Sequence, residues 1–282
     1  MAIFTNQATL SYSGGTVNSN ITTGEILEVL SATKTAVEPT YSEGQDTTYI
    51  VNVTNSGNTA FTGLILTDDL GAYTFGATTV VPLSYLEGSV KYFINGVLQP
   101  APTVAAGPPL VISNITIPAN SVATIAYTAT ANEFASPETT GVITNTVTVS
   151  GGITPVTASE TVPAENAANL SITKSLTPLV VTENGQLTYT FVIQNTGNLD
   201  ADATDNVVIT DLFDPILSNI TVTYNGAPWS EPANYTYNEV TGLFATAPGQ
   251  ITVPAATFTQ DAVTGAWAIT PGTAIITVTG TV

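Results

Sequence analysis

Cysteine and histidine are both absent from this chain of 282 residues, and basic residues are nearly absent. Without cysteine there is no disulfide framework and no thiol chemistry, and without histidine the usual general base and the commonest metal ligand are missing. Three basic residues stand against 21 acidic ones, which gives a net charge of −18. Because nucleic acids and anionic lipid surfaces both require a cationic protein surface, we expect no nucleic-acid partner and no membrane partner.

Long apolar segments are absent as well. No hydrophobic run is long enough to span a membrane, and no long segment follows the 3.6-residue period of an amphipathic helix. The opening residues 1–5 lack the basic segment and apolar core of a secretory signal. Three explanations stay open: a leader that has been removed, release by lysis, and assembly inside the mother cell of a spore.

What the chain does contain is typical of an all-β protein. Thr, Val, Ile, Tyr and Phe dominate its periodic segments, and these residue types fit a pleated sheet. Apolar and polar residues alternate in 48–54, 122–128 and 187–193. The pairs Asn95-Gly96 and Asn225-Gly226 predict tight hairpin turns. The pattern predicts two immunoglobulin-like β-sandwiches in tandem.

An internal repeat sets the domain boundaries. Leu30-Ser-Ala-Thr-Lys34 matches Leu170-Ser-Ile-Thr-Lys174, with an offset of 174 − 34 = 140 residues. The same offset relates Asn55-Ser-Gly-Asn58 to Asn195-Thr-Gly-Asn198, whereas later elements drift because loops vary more than strands. The expected organisation is an N-terminal donor strand (1–12), a connector (13–29), a first sandwich (30–150), a linker (151–169) and a second sandwich (170–282).

The front of the chain carries a strand that the second repeat lacks. Phe4-Thr-Asn6-Gln-Ala-Thr-Leu10 resembles Ile143-Thr-Asn145-Thr-Val-Thr-Val149, which closes the first repeat, and residues 273–282 stop before a third copy. We therefore expect head-to-tail self-assembly, in which residues 1–12 of one subunit close the second sandwich of another. A chain that fills its own groove and a swapped dimer are the alternatives.

Two of the three lysines occupy the same repeat position. Alternation places Lys34 on one strand face with Leu30 and Ala32, and it places Lys174 equivalently. Both lysines therefore point toward the core, where an unpaired ammonium is costly and a lysine tends to lose its proton. Each lysine needs a partner.

Aspartate and asparagine side chains face inward by the same test. Asp68 and Asp211 share a face with apolar residues of their strands, and Asn145 and Asn6 lie among the apolar residues of the two closing strands. A buried aspartic acid that keeps its proton donates to an amide oxygen, while a neutral lysine amine attacks the amide carbon. Ammonia leaves and an isopeptide bond remains, because folding supplies the proximity.

This chemistry predicts one bond within the chain and one between chains, each beside an aspartate: Lys34–Asn145 beside Asp68, and Lys174–Asn6 beside Asp211. Two simpler interpretations stay open. The lysines can form ordinary salt bridges to the aspartates, although a buried ion pair seldom outweighs its desolvation cost. The aspartates can also lie at strand ends in turns, where aspartate is common.

Four short motifs recur along the chain: Thr33-Lys34, Asn55-Ser-Gly-Asn58, Thr67-Asp68 and Thr144-Asn145, with Thr173-Lys174, Asn195-Thr-Gly-Asn198 and Thr210-Asp211 in the second repeat. In this combination the chain resembles the bacterial conserved-repeat surface proteins (domain of unknown function 11) over nearly its whole length. The resemblance implies kinship with Gram-positive pilins and adhesins, which form Lys–Asn isopeptide bonds in immunoglobulin-like domains. The second repeat departs from the pattern because it has no closing asparagine, which points to Asn6.

These observations predict a structural subunit of an extracellular fibre on a cell or spore surface, with itself as partner and without a cofactor. An adhesin or stalk module from a longer repeat array is the alternative. We expect no enzymatic activity beyond autocatalytic bond formation, since histidine and cysteine are absent and no carboxylate pair has a clear spacing. The acidic residues 200–205 permit calcium ligation, but a solvated loop explains them as well.

Overall fold

The computed structural model describes residues 2–282. Within them the regular structure consists of β-strands and one short 3₁₀ helix, Ala203–Asp205, so the all-β prediction is confirmed. The chain divides into two compact units. Unit 1 contains the residues up to 132 and residues 142–162, and unit 2 contains residues 133–141 and 163–282. No helix in the described part of the chain is long and apolar enough to cross a membrane.

Unit 1 begins with an arm of four short strands. Its strands are β1 (Ala2–Asn6), β2 (Thr9–Tyr12), β3 (Gly15–Asn18) and β4 (Thr22–Ile26). β1 pairs with β4 and β2 pairs with β3, both antiparallel, so the arm is one long hairpin. This differs from the expected donor strand and connector. Segment 1–12, whose first residue lies outside the described residues, contains two strands, and segment 13–29 contains their partners, which are too short and too rich in Gly and Asn to stand out in the sequence.

The sandwich of unit 1 has thirteen further strands within the described residues: β5 (Leu30–Ala36), β6 (Asp46–Asn55), β7 (Phe61–Asp68), β8 (Tyr73–Phe75), β9 (Thr78–Val80), β10 (Leu83–Tyr85), β11 (Lys91–Ile94), β12 (Val97–Leu98), β13 (Thr103–Ala105), β14 (Leu110–Ile117), β15 (Ser121–Ala131), β16 (Val142–Ser150) and β17 (Val156–Pro163). One sheet has the order β12-β11-β15-β6-β5, with β10 also paired to β15. The other has the order β13-β14-β7-β16-β17, and β8 and β9 form a separate hairpin.

Alternating burial builds the core between the two sheets. Every second residue of β6 and β15 is buried, as expected for strands with one face on the core and one on solvent. The predicted turn at Asn95-Gly96 is confirmed, because Ile94 pairs with Val97 and both turn residues have positive φ, 47° and 80°. These left-handed angles are the ones a two-residue hairpin requires.

The first sandwich extends beyond its expected end at residue 150. The segment 151–169, expected as a linker, contains β17, which lies beside β16 at the edge of the sheet. Its alternate residues turn inward, and Val162 is buried. The connection that precedes β17 ends at Pro155.

Unit 2 has ten strands within the described residues: β18 (Leu170–Thr177), β19 (Gln186–Asn195), β20 (Thr210–Leu212), β21 (Ser218–Tyr224), β22 (Ala227–Trp229), β23 (Tyr235–Asn238), β24 (Leu243–Thr246), β25 (Thr257–Gln260), β26 (Trp267–Thr270) and β27 (Gly272–Thr281). One sheet has the order β18-β19-β27-β21-β22, the other has the order β20-β24-β23, and β25 pairs with β26. The predicted turn at Asn225-Gly226 is confirmed by the pairing of Tyr224 with Ala227.

The loop 133–141 belongs to unit 2, not to the first sandwich as the expected boundaries place it. Backbone hydrogen bonds hold it there. The amide of Trp267 donates to the carbonyl of Glu133, and the amide of Ala164 donates to the carbonyl of Gly141, both at 2.8 Å.

The repeat appears in the structure as a shared register with one difference. Lys34 pairs with Val51 in unit 1, and Lys174 pairs with Phe191 in unit 2, so β5 and β6 correspond to β18 and β19. β7 lies between β14 and β16, whereas its counterpart β20 pairs only with β24. Among residues 2–282, therefore, no strand occupies in unit 2 the place that β16 fills in unit 1.

Candidate functional site

Four polar side chains from four strands meet in the core of unit 1: Lys34 on β5, Asp68 on β7, Tyr127 on β15 and Asn145 on β16. We call them the buried polar cluster. Their exposed fractions are 4%, 1%, 1% and 0%, respectively. The cluster joins the two sheets, because β5 and β15 belong to one sheet and β7 and β16 belong to the other.

Lys34 and Asp68 form its charged centre. The Lys34 Nζ donates to Asp68 Oδ2 at 2.6 Å. Asp68 is the last residue of β7, and its Oδ1 accepts from the backbone amide of Leu70 at 3.1 Å. The aspartate therefore lies at a strand end, as one interpretation of the sequence had it, and also faces the core.

Tyr127 links this pair to Asn145. Its hydroxyl donates to Asp68 Oδ2 at 2.6 Å and accepts from Asn145 Nδ2 at 3.1 Å. The ring of Tyr127 stacks on Tyr49, with ring centroids 5.6 Å apart. Reasoning from the sequence missed Tyr127. Alternation places it on the inward face of its strand, but nothing in its spacing distinguishes a hydroxyl aimed at Asp68 from an ordinary core aromatic.

Asn145 is held by its nitrogen and not by its oxygen. Nδ2 donates to Tyr127, whereas Oδ1 is buried and has no hydrogen-bond partner in the described residues. An unsatisfied buried acceptor costs about 1–3 kcal/mol. A hydrogen bond therefore orients the amide nitrogen of Asn145, whereas its amide oxygen accepts no hydrogen bond.

Burial sets the electrostatics of the cluster. It lowers the pKa of Lys34, an effect that the Asp68 carboxylate partly opposes. Burial also raises the pKa of Tyr127 well above its usual value, and the charge of Asp68 adds to that shift. The tyrosine therefore stays a proton donor, and the lysine amine loses its proton more readily than it would in water.

A second lysine–aspartate pair lies at the corresponding position of unit 2. Lys174 Nζ donates to Asp211 Oδ2 in a short contact. The Lys174 side chain is 38% exposed and that of Asp211 is 18% exposed, whereas the pair in unit 1 is almost fully covered. The Nζ also lies 4.2 Å from the ring centroid of Tyr189 and 5.4 Å from that of Phe213.

The pair in unit 2 lacks the phenol. Tyr127 pairs with Tyr49, and Tyr189, the repeat equivalent of Tyr49, pairs with Val278. Val278 therefore occupies the position of Tyr127. The two sites share a lysine and an aspartate but differ in the group that could relay a proton.

The second pair also lies beside an uncovered strand. Seven of the eight residues of β18 are exposed, whereas β5 alternates between covered and exposed positions. Ile172 on β18 is 53% exposed. We call the unpaired edge of β20 together with the uncovered face of β18 the open edge. In unit 1 the strand at this place, β16, carries Asn145.

The remaining site residue expected from the sequence, Asn6, lies in the arm. It is exposed, and it pairs with Thr22, whose hydroxyl donates to the Asn6 carbonyl at 3.2 Å. The expected contact of Asn6 with Lys174 and Asp211 requires a second copy of the chain and stays a prediction.

The recurring Asn-x-Gly-Asn motif has a structural role. Asn55 is fully buried, and its Nδ2 donates to the carbonyls of Thr59 and Pro118, both at 2.9 Å, while Oδ1 accepts from the amide of Gly57 at 2.9 Å. Asn195 is also fully buried and makes similar bonds in unit 2. The motif recurs because it anchors the same turn twice.

The acidic loop 200–205 uses its carboxylates on its own backbone. Asp202 caps the 3₁₀ helix and accepts from the amide of Thr204 at 2.7 Å, and these hydrogen bonds lower its pKa. Asp205 accepts from the amide of Asp202 at 2.8 Å, and Asp200 accepts from that of Ala255 at 2.6 Å. In the described residues no group of three or more acidic side chains is placed to hold a metal ion.

No protein-family model matches the sequence, and no curated protein matches it. The solved structures that show similarity include the pilus backbone RrgB of Streptococcus pneumoniae (14% identity, 86% of this chain, 55% of that chain, TM-score 0.36), the major pilin subunit BcpA of Bacillus cereus (10%, 96%, 73%, 0.37) and a C-terminal fragment of the major pilin GBS80 of Streptococcus agalactiae (13%, 81%, 79%, 0.35). The chain spans just over half of RrgB. The similarity concerns the fold alone, and membership of the conserved-repeat family stays an expectation.

Proposed function

We propose that this chain is the structural subunit of an extracellular fibre on a cell or spore surface, which polymerises head to tail by donor-strand insertion and is cross-linked by Lys–Asn isopeptide bonds. The main observation that supports this proposal is the open edge of unit 2. In unit 1, β16 closes the sandwich and brings Asn145 to the buried polar cluster. In unit 2, Lys174 and Asp211 lie beside a sheet edge that lacks this strand.

The arm supplies a matching strand. In unit 1, Val147 pairs with Asp68, and Asn145 lies two residues earlier on the same face of β16. When the arm of another subunit pairs with β20 in the same register, Ala8 lies opposite Asp211. Asn6 then lies two residues earlier on the same face, as Asn145 does in unit 1. An unpaired edge beside exposed apolar residues recruits such a strand, through backbone hydrogen bonds and burial of apolar surface at about 25 cal/mol per Å².

The bond within unit 1 follows from the cluster's hydrogen bonds. Lys34 passes one proton to Asp68, and the neutral amine attacks Cγ of Asn145. Tyr127 protonates Nδ2 and is reprotonated by Asp68. The Cγ–Nδ2 bond breaks as the Cγ–Nζ bond replaces it, and the attacking nitrogen gives its surplus proton to Asp68, which passes it on to the released ammonia. One lysine ammonium and one carboxamide thus become one secondary amide and one ammonium ion, and Asp68 ends as the carboxylate it was.

The bond between subunits uses the same chemistry with one change. Insertion of the donor strand covers Lys174 and Asp211, which excludes water and favours the neutral amine. Because Val278 stands in place of the phenol, Asp211 itself protonates the leaving nitrogen of Asn6. The net charge of −18 on each subunit keeps the finished fibres from clumping sideways.

Boiling the protein in denaturing detergent before gel electrophoresis tests the proposal. The unsubstituted chain should give a ladder of multimers, and Asn6→Ala should abolish the ladder. The intact mass of Asn6→Ala should still be lower than its sequence mass by one ammonia, from the bond in unit 1. Asn20→Ala, which removes another exposed amide of the arm, is the matched control and should leave the ladder unchanged.

Other outcomes contradict the proposal in distinguishable ways. A single monomer band that has lost two ammonias means that the chain closes its own groove. A dimer band alone means a swapped pair. Monomers with an intact Lys174, together with a natural chain that continues past Val282 into an asparagine-bearing strand, favour the adhesin or stalk module of a longer array.

A further inference from the structure

The arm is already paired with itself. β1 and β4 align Asn6 with Thr22, and β2 and β3 align Leu10 with Val17, in one antiparallel hairpin. The second strand has one extra residue between these two segments, which is a β-bulge. Ser19 closes the bulge, because its amide donates to the Ala8 carbonyl at 2.8 Å and its hydroxyl accepts from the Ala8 amide at 3.0 Å.

Two aromatic rings stabilise the hairpin from within. The Phe4 ring lies over Gly24, its cross-strand partner, and the Tyr12 ring lies over Gly14, so closely that a Cβ at either glycine would clash with the ring. An aromatic side chain laid across a glycine is a known device for fixing strand register. The hairpin therefore has its own packing before any partner arrives.

The hairpin has one apolar face, and that face is uncovered. Residues paired across strands point to the same side, so Leu10 and Val17 share a face, and alternation along β1 and β2 adds Phe4 and Asn6 to it. Leu10, Val17 and Phe4 are 64%, 53% and 51% exposed. The opposite face carries mostly polar residues: Thr5, Thr9, Ser11, Thr16, Asn18 and Thr23.

In unit 1 the closing element is also a hairpin. β16 fills the place beside β7, and β17 lies outside it. Thr144 and Thr161 share a hydroxyl hydrogen bond across the two strands at 2.9 Å, and Thr146 and Ser159 share another at 2.9 Å. Val162 on β17 is buried, so the outer strand also contributes to the core.

We propose that the element which one subunit donates to the next is this preformed two-stranded hairpin, not a single strand. The inference rests on the proposed function and names its donor more closely. β1 and β2 take the place of β16 against β20, and β3 and β4 take the place of β17 at the outer edge. The free edge of β1 and β2 is then paired with β20 of the next subunit. Residues 27–29 connect the hairpin to β5 of its own chain.

A disulfide across the hairpin distinguishes the two kinds of donor. Thr5 pairs with Thr23 on the face that points away from Asn6, and the chain has no cysteine of its own. The double variant T5C/T23C can therefore be locked with one bond and released with reductant. A second lock, S11C/T16C, tests the other half of the hairpin, where Ser11 pairs with Thr16.

Both locked variants should form the detergent-resistant ladder at the same rate when oxidised and when reduced. A ladder that appears only after reduction shows that the strands must separate, which overturns hairpin donation but leaves donor-strand polymerisation intact. Failure in both redox states, while the unsubstituted chain polymerises, shows that the polar face is buried in the fibre, which also overturns the arrangement. Failure of the unsubstituted chain itself counts against the proposed function instead.

Discussion

Replacing Asn145 by alanine separates a covalent clamp from a hydrogen-bonded cluster. The substitution leaves the Lys34–Asp68 pair and the Tyr127–Asp68 hydrogen bond in place, and it removes the hydrogen bonds of Asn145 with Tyr127 and Tyr49 and any isopeptide bond. Without an isopeptide bond the cost is that of these amide hydrogen bonds and a small cavity, about 1–2 kcal/mol.

With the bond the cost is much larger. A link between residues 34 and 145 closes a loop of about 110 residues, and the chain-entropy estimate for a cross-link of that span is about 5 kcal/mol. Asn145→Ala should therefore lower the unfolding free energy of unit 1 by about 6 kcal/mol when the two contributions add. The slope of the denaturant dependence should rise as well, because the unlinked chain exposes more surface on unfolding.

The chain provides an internal control for this measurement. Both tryptophans, Trp229 and Trp267, lie in unit 2, so tryptophan fluorescence follows unit 2 while circular dichroism follows both units. The tryptophan transition should stay where it is. Thr146→Ala, on the outer face of β16, should change the stability of unit 1 by less than about 1 kcal/mol. A loss of only 1–2 kcal/mol for Asn145→Ala, together with a full sequence mass before substitution, refutes the clamp.

Further predictions concern the other members of the two sites. Asp68→Ala should restore the mass of the ammonia lost in unit 1, because the proton acceptor and donor is gone, and an unchanged mass deficit excludes that role. Tyr127→Phe should slow ammonia loss after refolding by about 10²–10⁴-fold, the usual range for a general acid. Tyr92→Phe removes another buried hydroxyl of unit 1, one that bonds the backbone of Thr116, and should not slow the loss; equal rates for both variants argue against the relay. Lys174→Ala should keep the mass deficit of unit 1 and yield no detergent-resistant multimers, so a surviving ladder removes Lys174 from the cross-link.

Most of the fold can be predicted from the alternation of apolar and polar residues along the strands. The long strands β6, β15 and β19 alternate cleanly, so their existence and their inward faces follow from the sequence. The arm hairpin and β17 do not follow from it. The arm strands have four or five residues and belong to no sheet of the sandwich, and β17, although eight residues long, lies at the edge of its sheet, where fewer residues need to be apolar.

Part of the candidate site can likewise be predicted from the sequence, and part requires the structure. Lys34, Asp68 and Asn145 can be placed in the core from alternation, because a polar residue among inward-facing apolar ones is conspicuous. Tyr127 cannot, because a buried tyrosine is unremarkable until its hydroxyl is located in three dimensions. The difference between the two sites also requires the structure, since it depends on the register that aligns Val278 with Tyr189.

The proposed fibre depends on a covalent bond between Asn6 of one subunit and Lys174 of another, and peptide mass spectrometry of the multimer bands can detect that bond. Trypsin is unsuitable because the chain has only three basic residues, so digestion should use a protease that cuts after acidic or aromatic residues. Mixing isotopically heavy and light subunits before assembly marks bonds between chains. We expect a branched peptide that joins Asn6 to Lys174, lighter than its two parts by one ammonia and present in mixed heavy–light form. Multimer bands that yield both peptides unlinked and at full mass contradict it.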